Sequence, residues 1–454
     1  MLSWQRNMTK KSTRSTGYRP DSCSDVNQAT TATPKTIRHV NRSILLNLIR
    51  LRQPVSRAEL SRITGMHRSN TSVIVEDLIA EGLLREERAK PVGRGRVPFF
   101  LYVSEDSVYV LGVNLRVSET TIALGQLSGK IEKLTSFDTP KDPELFVQML
   151  DREIRRLLMT VRPSLRKSVR NLVVSVPGHI HSITHGDVWI PALPAYSGFS
   201  LRAAIEDKTG IPTDVMNNAS LGALAEMWLA EMQHINLKDF IFLVIGDVGT
   251  GSGLIFHRQL YLGHDLTFAG EFGHMVIDPA GPKCACGKKG CWQLYVCDRA
   301  TWERYQPAKQ FTPAGFQQFL QSAKDREPRA IAALRETAKY LALGISNISQ
   351  ALNPEVVIFG GEITCLWDIL QPEIIKHLFK LNTSTTIRPA KDNMDQLFLQ
   401  GAIHLGLRKI FDPPTAVLTV GTRSVMGGAL MLGERFPEPW RGTRSASQER
   451  AGRR

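Results

Sequence analysis

The amino-acid sequence predicts an α/β body with a mostly helical domain in front of it. From about residue 108 onward, apolar strand-like runs alternate with longer stretches of helical periodicity, which is typical of α/β folds. The strand-like runs are VYVLGVNL, TTIALGQL, NLVVSVPG, DFIFLVIGD and PEVVIFGG. Before them, between residues 36 and 103, apolar residues recur mainly at helical spacing. The chain has 454 residues, a length that suits about two to four domains.

The basic residues of the chain are concentrated near its start. The whole chain has 57 Lys and Arg residues against 43 Asp and Glu residues, a net charge of +14. Residues 1–104 carry +10 of this charge, residues 435–454 carry +4, and the residues between them are neutral overall. A basic domain on a neutral body indicates binding to a polyanion, although a solubilising arm would give the same imbalance.

The two ends of the chain are polar and basic. Because residues 1–34 and 437–454 contain few periodic apolar residues, we expect both segments to be disordered. Residues 35–104 then form the first domain, and residues 105–436 form the body. The sequence contains neither an apolar run of about 18 residues nor the apolar core of a secretory signal. We therefore expect a cytoplasmic protein without a membrane partner.

Residues 36–81 show the pattern of three helices. The first helix ends before Pro54, and its apolar stripe consists of Ile44, Leu45, Leu48 and Ile49. Ser56 and Glu59 form a capping box at the start of the second helix, and Gly65 allows a tight turn after it. The third helix runs to about Glu81, with an inward side that consists of Thr71, Ile74, Val75 and Leu78. This order predicts a helix-turn-helix, in which the start of the last helix enters the DNA major groove.

Two groups of residues in the first domain are expected to contact DNA. The outward residues of the third helix are His67, Arg68, Ser69, Asn70 and Ser72. Arg and Asn suit base edges, whereas Ser and His can contact bases or phosphates. A glycine-containing loop then places Arg94 and Arg96 at its tip, as in a wing that reaches phosphates or the minor groove. A helical protein-interaction domain is the alternative, and the wing and the local positive charge argue against it.

A cluster of cysteines in the body indicates a metal site. Four of the six cysteines fall within 14 residues, which in a large chain without a secretory signal favours metal binding over disulfides. His274, Cys284, Cys286 and Cys291 would supply one imidazole and three thiolates, a set that suits a closed tetrahedral Zn²⁺ site. Cys297 could replace one of these ligands, but its place on a predicted helix favours a buried thiol.

These motifs resemble the ROK family of repressors and sugar kinases. The resemblance covers about residues 37–436 and is closest to the winged-helix branch, which contains the N-acetylglucosamine and xylose repressors. It is carried by SRAELSRITG, GRGRVP, VSVPGHI, PALPAYSGFSL, AGEFGHMVIDPAG, CACGKKGC and SNISQALNPEVVIFGG. The resemblance implies a two-lobed, actin-like sugar-kinase fold with a ribonuclease-H-like sheet in each lobe. It also implies a structural zinc beside the sugar cleft.

The chain departs from the kinases of this family at the residues that handle phosphate and protons. The family's Asp-x-Gly-Gly-Thr loop corresponds here to residues 114–118, NLRVS. Asn114 has no charge to hold Mg²⁺, and Arg116 and Val117 place side chains where a phosphate needs bare amides. Asn218 replaces the catalytic aspartate, so general-base catalysis, worth about 10²–10⁴-fold, is lost. We therefore predict that the chain is not an enzyme and has no catalytic residues.

The resemblance also implies a set of residues that contact the sugar. They are Asn217, Asn218, Glu271, His274 and Gln293. Two of the family's acids have become amides in this set, and each lost hydrogen bond to a charge is worth about 1.5–3 kcal/mol. Either the ligand differs from the usual hexoses or it binds weakly. A body that binds no ligand is the alternative.

Together these features predict a repressor of carbohydrate metabolism. The first domain would bind a double-stranded DNA operator, and a sugar or sugar phosphate in the body would alter the geometry of a homodimer or homotetramer. An ATP-dependent sugar kinase with an accessory DNA-binding domain is the main alternative. A constitutive DNA-binding protein whose body only dimerises is a third.

Two segments of the sequence are candidates for the helix that closes the fold. Residues 400–403 and residues 427–430 both resemble the family's small-residue closing helix. The spacing from Gly361 favours the first placement, which makes residues 413–436 an additional segment.

Overall fold

A computed structural model describes residues 34–88, 99–161, 168–182, 187–247, 249–263 and 269–411. Both predicted tails lie outside this part of the chain, except that Pro34 already begins the first helix. The alternative closing segment at residues 427–430 lies outside it as well. Among the described helices, none is long and apolar enough to cross a membrane.

The first domain contains three helices and an antiparallel hairpin. Its elements are α1 (Pro34–Arg52), α2 (Arg57–Thr64), α3 (Arg68–Ala80), β1 (Leu84–Arg88) and β2 (Phe99–Val103). Of the predicted capping box, the Ser56 N-cap is confirmed, because the Ser56 hydroxyl accepts a hydrogen bond from the backbone N–H of Glu59 at 3.2 Å. Gly65 follows α2 with a φ of +70°, which glycine adopts without strain.

The core of the first domain confirms the prediction for α3 and corrects that for α1. All four predicted inward residues of α3 are buried. On α1, however, Leu46 is buried together with Leu45 and Ile49, whereas Ile44 and Leu48 are only half-buried. The sequence offers three consecutive apolar residues at 44–46, and packing against α3 and β2 selects the last two.

The first lobe of the body is built on a five-stranded sheet. Its elements are β3 (Tyr109–Leu115), β4 (Glu119–Gln126), β5 (Ile131–Asp138), α4 (Pro143–Met159), β6 (Val169–Val176), β7 (His179–Ser182), β8 (Asp187–Trp189), β9 (Phe199–Ser200), α5 (Leu201–Thr209), β10 (Thr213–Asn217) and α6 (Asn218–Met232). The strand order is β10-β6-β3-β4-β5. The β3, β4 and β5 strands are antiparallel, and β6 and β10 continue parallel to β3. Strands β7, β8 and β9 form a separate small sheet.

The second lobe repeats this topology. Its elements are β11 (Phe240–Ile245), β12 (Thr250–Phe256), β13 (Gln259–Tyr261), α7 (Gln293–Val296), α8 (Asp298–Tyr305), α9 (Pro313–Lys324), α10 (Pro328–Leu352), β14 (Val356–Gly360), α11 (Trp367–Lys380) and β15 (Thr386–Pro389). The order β13-β12-β11-β14-β15 and the strand directions match those of the first sheet. Two sheets of one topology form the predicted two-lobed fold, with a ribonuclease-H-like sheet in each lobe.

The last described helix, α12 (Met394–Phe411), joins the lobes and the first domain. It packs against β3, α6 and α1, and its apolar residues enter two cores. Leu397 and Ala402 pack with the second-lobe strands, whereas Ile403 and Leu407 belong to the core of the first domain. Gly401 permits this packing, because a Cβ there would lie 2.0 Å from the Leu221 carbonyl oxygen. Residues 400–403 therefore lie in the helix that closes the fold.

Candidate functional site

The start of α3 presents the residues predicted to contact DNA. Residues 67–70 are exposed and Ser72 is half-buried. His67 caps the helix, and its Nδ1 lies 2.8 Å from the Ser69 hydroxyl. This contact orders the first turn, on which Arg68 and Asn70 stand exposed.

One residue of this surface was missed by the sequence analysis. Val73 is 48% exposed although it is apolar, and it lies three residues after Asn70, on the same side of α3. That spacing could have identified it. A valine methyl at this place suits contact with the C5-methyl group of thymine.

The structure describes the strands of the wing but not its tip. The β1 and β2 strands pair from Leu84 with Val103 to Arg88 with Phe99. This hairpin stands where the predicted wing requires it. Arg94 and Arg96 lie outside the described residues, so their roles stay predictions.

The predicted metal ligands come together in space. The ligand atoms of His274, Cys284, Cys286 and Cys291 all lie within 4.8 Å of one another. Nδ1 of His274 is 3.6 Å from the Cys284 sulfur, and the sulfurs of Cys286 and Cys291 are 3.5 Å apart. Gly290 lets the loop close, because a Cβ there would lie 1.6 Å from a backbone oxygen and the φ is +65°.

The electrostatics of these groups suit a divalent cation. Burial, then hydrogen bonds with Cys286 and Cys284, raises the pKa of Cys291 to about 12. Burial also acts to raise the pKa of Cys286, but hydrogen bonds from the Lys288 backbone and the two thiols outweigh it and lower that pKa. Burial lowers the pKa of His274, which favours its neutral, ligating form. Neighbouring thiols resist ionising together, and a divalent cation would remove that resistance. The donor set therefore fits Zn²⁺.

Cys297 lies outside this cluster. It is buried between α7 and α8 rather than inside a helix as predicted, because the chain bends there to begin α8. Burial raises the pKa of its thiol to about 11, which favours an uncharged, unreactive group. Gln293 contacts the cluster instead, with its Nε2 donating to the Cys284 sulfur at 3.5 Å.

The predicted sugar contacts come from both lobes, which meet at the predicted cleft. Asn217 caps α6 through its Oδ1, which accepts from the Ala219 N–H at 2.9 Å, and its Nδ2 donates to the Gly178 carbonyl at 2.8 Å. Both ends of this amide are therefore engaged. Asn218, the first residue of α6, is half-buried, as are Glu271, His274 and Gln293.

A histidine of the first lobe, missed by the sequence analysis, also enters this cleft. Nδ1 of His179 lies 3.1 Å from the Oε1 of Glu271, across the lobes. These two residues and His274 bring their ligand atoms within 4.8 Å of one another. The motif VSVPGHI contains His179, but nothing local in the sequence indicates its partner.

The loop predicted to correspond to the kinase phosphate loop contacts a carboxylate of α12. Asp395, in the first turn of α12, accepts a hydrogen bond from the buried Asn114 amide at 3.0 Å. Its other oxygen accepts from the Arg116 guanidinium at 2.6 Å. Val117 is exposed beside them. Asn114 and Arg116 thus share one partner, which the sequence analysis missed.

Comparison with known proteins agrees with both halves of this architecture. The sequence model of the ROK family matches residues 110–408, and that of the MarR family matches residues 40–95. A crystal structure of a ROK family transcriptional regulator, a homolog of the E. coli MLC protein, superposes with a TM-score of 0.68. That match has 24% identity and covers 83% of this chain and 98% of the other, and it shows a shared fold.

Two curated relatives span most of the chain. The xylose repressor of Bacillus subtilis (strain 168) is 30% identical over 331 residues, which are 72% of this chain and 83% of the relative. The DNA-binding transcriptional dual regulator NagC of Escherichia coli (strain K12) is 23% identical over 349 residues, 74% of this chain and 84% of the relative. With its two-lobed body matched over nearly its whole described length, this chain belongs to the ROK family.

Proposed function

We propose that this chain is a sugar-responsive repressor that binds operator DNA. The observation that carries the proposal is the exposed start of α3. The domain that contains α3 shares its hydrophobic core with α12 of the sugar-kinase-like body. Residues 35–104 would bind DNA, and residues 105–436 would sense the effector. The similarity to the xylose repressor of Bacillus subtilis supports a sugar or sugar phosphate as the effector class. A homodimer or homotetramer would match a palindromic operator.

The same site argues against kinase activity. Arg116 and Asp395 form an ion pair at the loop where the family's kinases hold phosphate, and a nucleotide phosphate would have to displace that pair. Asn218 cannot take a proton from a sugar hydroxyl.

We expect no ATP turnover with D-xylose, D-glucose or N-acetyl-D-glucosamine. A coupled assay of ATP consumption measures this, with the Asn218→Ala variant as the background. Because no group at position 218 acts as a base, the two proteins should give the same rate. A wild-type rate that Asn218→Ala abolishes would establish the kinase alternative instead.

We propose that the metal cluster holds a structural zinc that fixes the cleft. His274, Cys284, Cys286 and Cys291 would be its ligands, and four protein ligands leave no open position for water. Glu271 lies three residues before His274 in one short segment. Nδ1 of His274 faces the cluster, and the imidazole has a second nitrogen that remains for a sugar hydroxyl. Asn218, Glu271 and Gln293 would supply further contacts, with Asn217 holding the Gly178 backbone in place.

We expect an Arg68→Ala variant to lose affinity for its operator by about 1–3 kcal/mol and to discriminate less among sequences. Arg68 opens α3, where side chains reach base edges, whereas Arg94 and Arg96 would bind operator and random DNA alike. The measurement is a titration of fluorescent duplexes at fixed salt, using an operator selected from a random pool. Arg62→Ala, an exposed arginine on α2, is the matched control. An equal loss on operator and random DNA would contradict the role of Arg68.

A further inference from the structure

The small sheet of the first lobe carries an aromatic pair on its surface. His179 and Trp189 are cross-strand partners on β7 and β8, with ring centroids 5.4 Å apart and an interplanar angle of 23°. The neighbouring Val188 and Ile190 are fully buried, whereas Trp189 is 37% exposed. The strand alternation therefore directs the indole away from the lobe's core.

The aromatic pair is fixed at the edge of the cleft. Nδ1 of His179 contacts Glu271 of the second lobe at 3.1 Å. The Gly178 carbonyl accepts the hydrogen bond from Asn217, which begins the helix that follows β10. Gly178 also lies so close to β8 that a Cβ there would be 2.3 Å from the Trp189 carbonyl oxygen. These contacts hold the pair beside residues from both lobes.

We infer that His179 and Trp189 form the first-lobe wall of a binding cleft for a pyranose ring. This inference rests on the proposed sugar response and adds to it the part of the site that recognises the ring itself. One face of a pyranose presents C–H groups, which pack on an aromatic ring, while its hydroxyl groups bond at the edges. Trp189 supplies the aromatic surface, and Glu271, which contacts His179, supplies a polar group beside the pair.

His179 is a positioning residue in this arrangement. It stacks on the indole and, through Nδ1, holds the carboxylate of Glu271 towards the cleft. An exposed tryptophan alone is ordinary on a protein surface. The distinguishing feature is that His179 contacts both the Trp189 indole and the Glu271 carboxylate. An exposed aromatic ring and a hydrogen-bonding group are thereby held next to each other.

The test is sugar binding by the full chain, measured by calorimetry and by tryptophan fluorescence with D-xylose, D-glucose and N-acetyl-D-glucosamine. Trp189→Leu should weaken binding of the preferred sugar about tenfold or more, which corresponds to the loss of one stacked ring. Trp189→Phe should weaken it less, because a flat ring remains, but should abolish the fluorescence change on binding. His179→Ala should weaken binding, and His179→Gln should restore part of it. Trp367→Phe, at a half-buried tryptophan of α11, is the matched control and should retain both signals.

The outcomes separate this inference from the proposed function. Binding by the wild type that Trp189→Leu leaves unchanged, or a fluorescence change that persists in Trp189→Phe, would overturn the role of the aromatic pair alone. Failure of the wild type to bind any of the three sugars would count against the sugar response itself. Equal effects of Trp189→Phe and Trp367→Phe on the fluorescence change would also exclude Trp189 as the contacting ring.

Discussion

A Cys291→Ser variant is expected to lose the proposed zinc and much of the stability of the second lobe. Cys291 lies fully buried beside the other three residues of the cluster, and a serine oxygen is a poor replacement for a thiolate. With free zinc at about 1,000 times its dissociation constant, the site would contribute about 4 kcal/mol to folding. Elemental analysis should find about one zinc per chain in the wild type, as one Cys₃His site requires, and almost none in the variant. The midpoint of thermal unfolding should fall by on the order of 10 °C.

Two other cysteines provide controls for this experiment. Cys365→Ser changes an exposed thiol far from the cluster in sequence and should alter neither metal content nor stability. Cys297→Ala removes a buried thiol outside the cluster, so it should keep the metal even if it lowers stability. Wild-type protein purified under reducing conditions without any metal would contradict the zinc site, and so would a Cys291→Ser variant that retains a full equivalent.

An Arg388→Ala variant is expected to destabilise the body by about 3 kcal/mol, because it would leave a buried carboxylate without its cation. Glu226 on α6 is fully buried, and its Oε2 accepts a hydrogen bond from Arg388 on β15 at 2.7 Å. Its other oxygen accepts from the backbone N–H of Lys391 at 3.0 Å. The effect should fall at the low end of the range for buried pairs, since the Arg388 side chain is 29% exposed. Urea unfolding followed by circular dichroism measures it.

A more exposed ion pair, within the second lobe, is the matched control. Arg335 lies 2.9 Å from Glu373, but its side chain is 60% exposed, so Arg335→Ala should cost less than about 1 kcal/mol. Combining Arg388→Met with Glu226→Gln should recover part of the lost stability, because no unpaired charge then remains buried. Equal destabilisation by Arg388→Ala and Arg335→Ala would show that the buried Glu226 pair contributes no more to the free energy of unfolding than an exposed pair does.

The parts of this structure that depend on local spacing could be predicted from the sequence. The inward residues of α3 follow from its helical period, and three of the four metal-cluster residues lie within eight positions, with His274 shortly before them. The residues that meet across the lobes could not be predicted in this way. Asn114 and Asp395 are 281 residues apart, and only the packing of α12 against β3 brings them together.

Local spacing was also insufficient where several apolar residues adjoin. At residues 44–46 of α1, helical periodicity alone cannot decide which two side chains face inward. That choice depends on α3, β2 and α12, whose positions are set by the rest of the fold. The same holds for His179, whose contact with Glu271 exists only because the two lobes face each other.

The core shared by α1 and α12 bears on how regulators of this type could diversify or be re-engineered. Leu45 and Leu46 pack in one cluster with Ile403 and Leu407, and only five residues separate β2 from β3. A chimera that joined this body to the DNA-binding domain of a relative would therefore bring mismatched side chains together at that junction, leaving voids or clashes. New operator preferences are more readily obtained by changing the outward residues of α3, which leave the junction intact. Exchange of the whole domain would require the last turns of α12 to be exchanged with it.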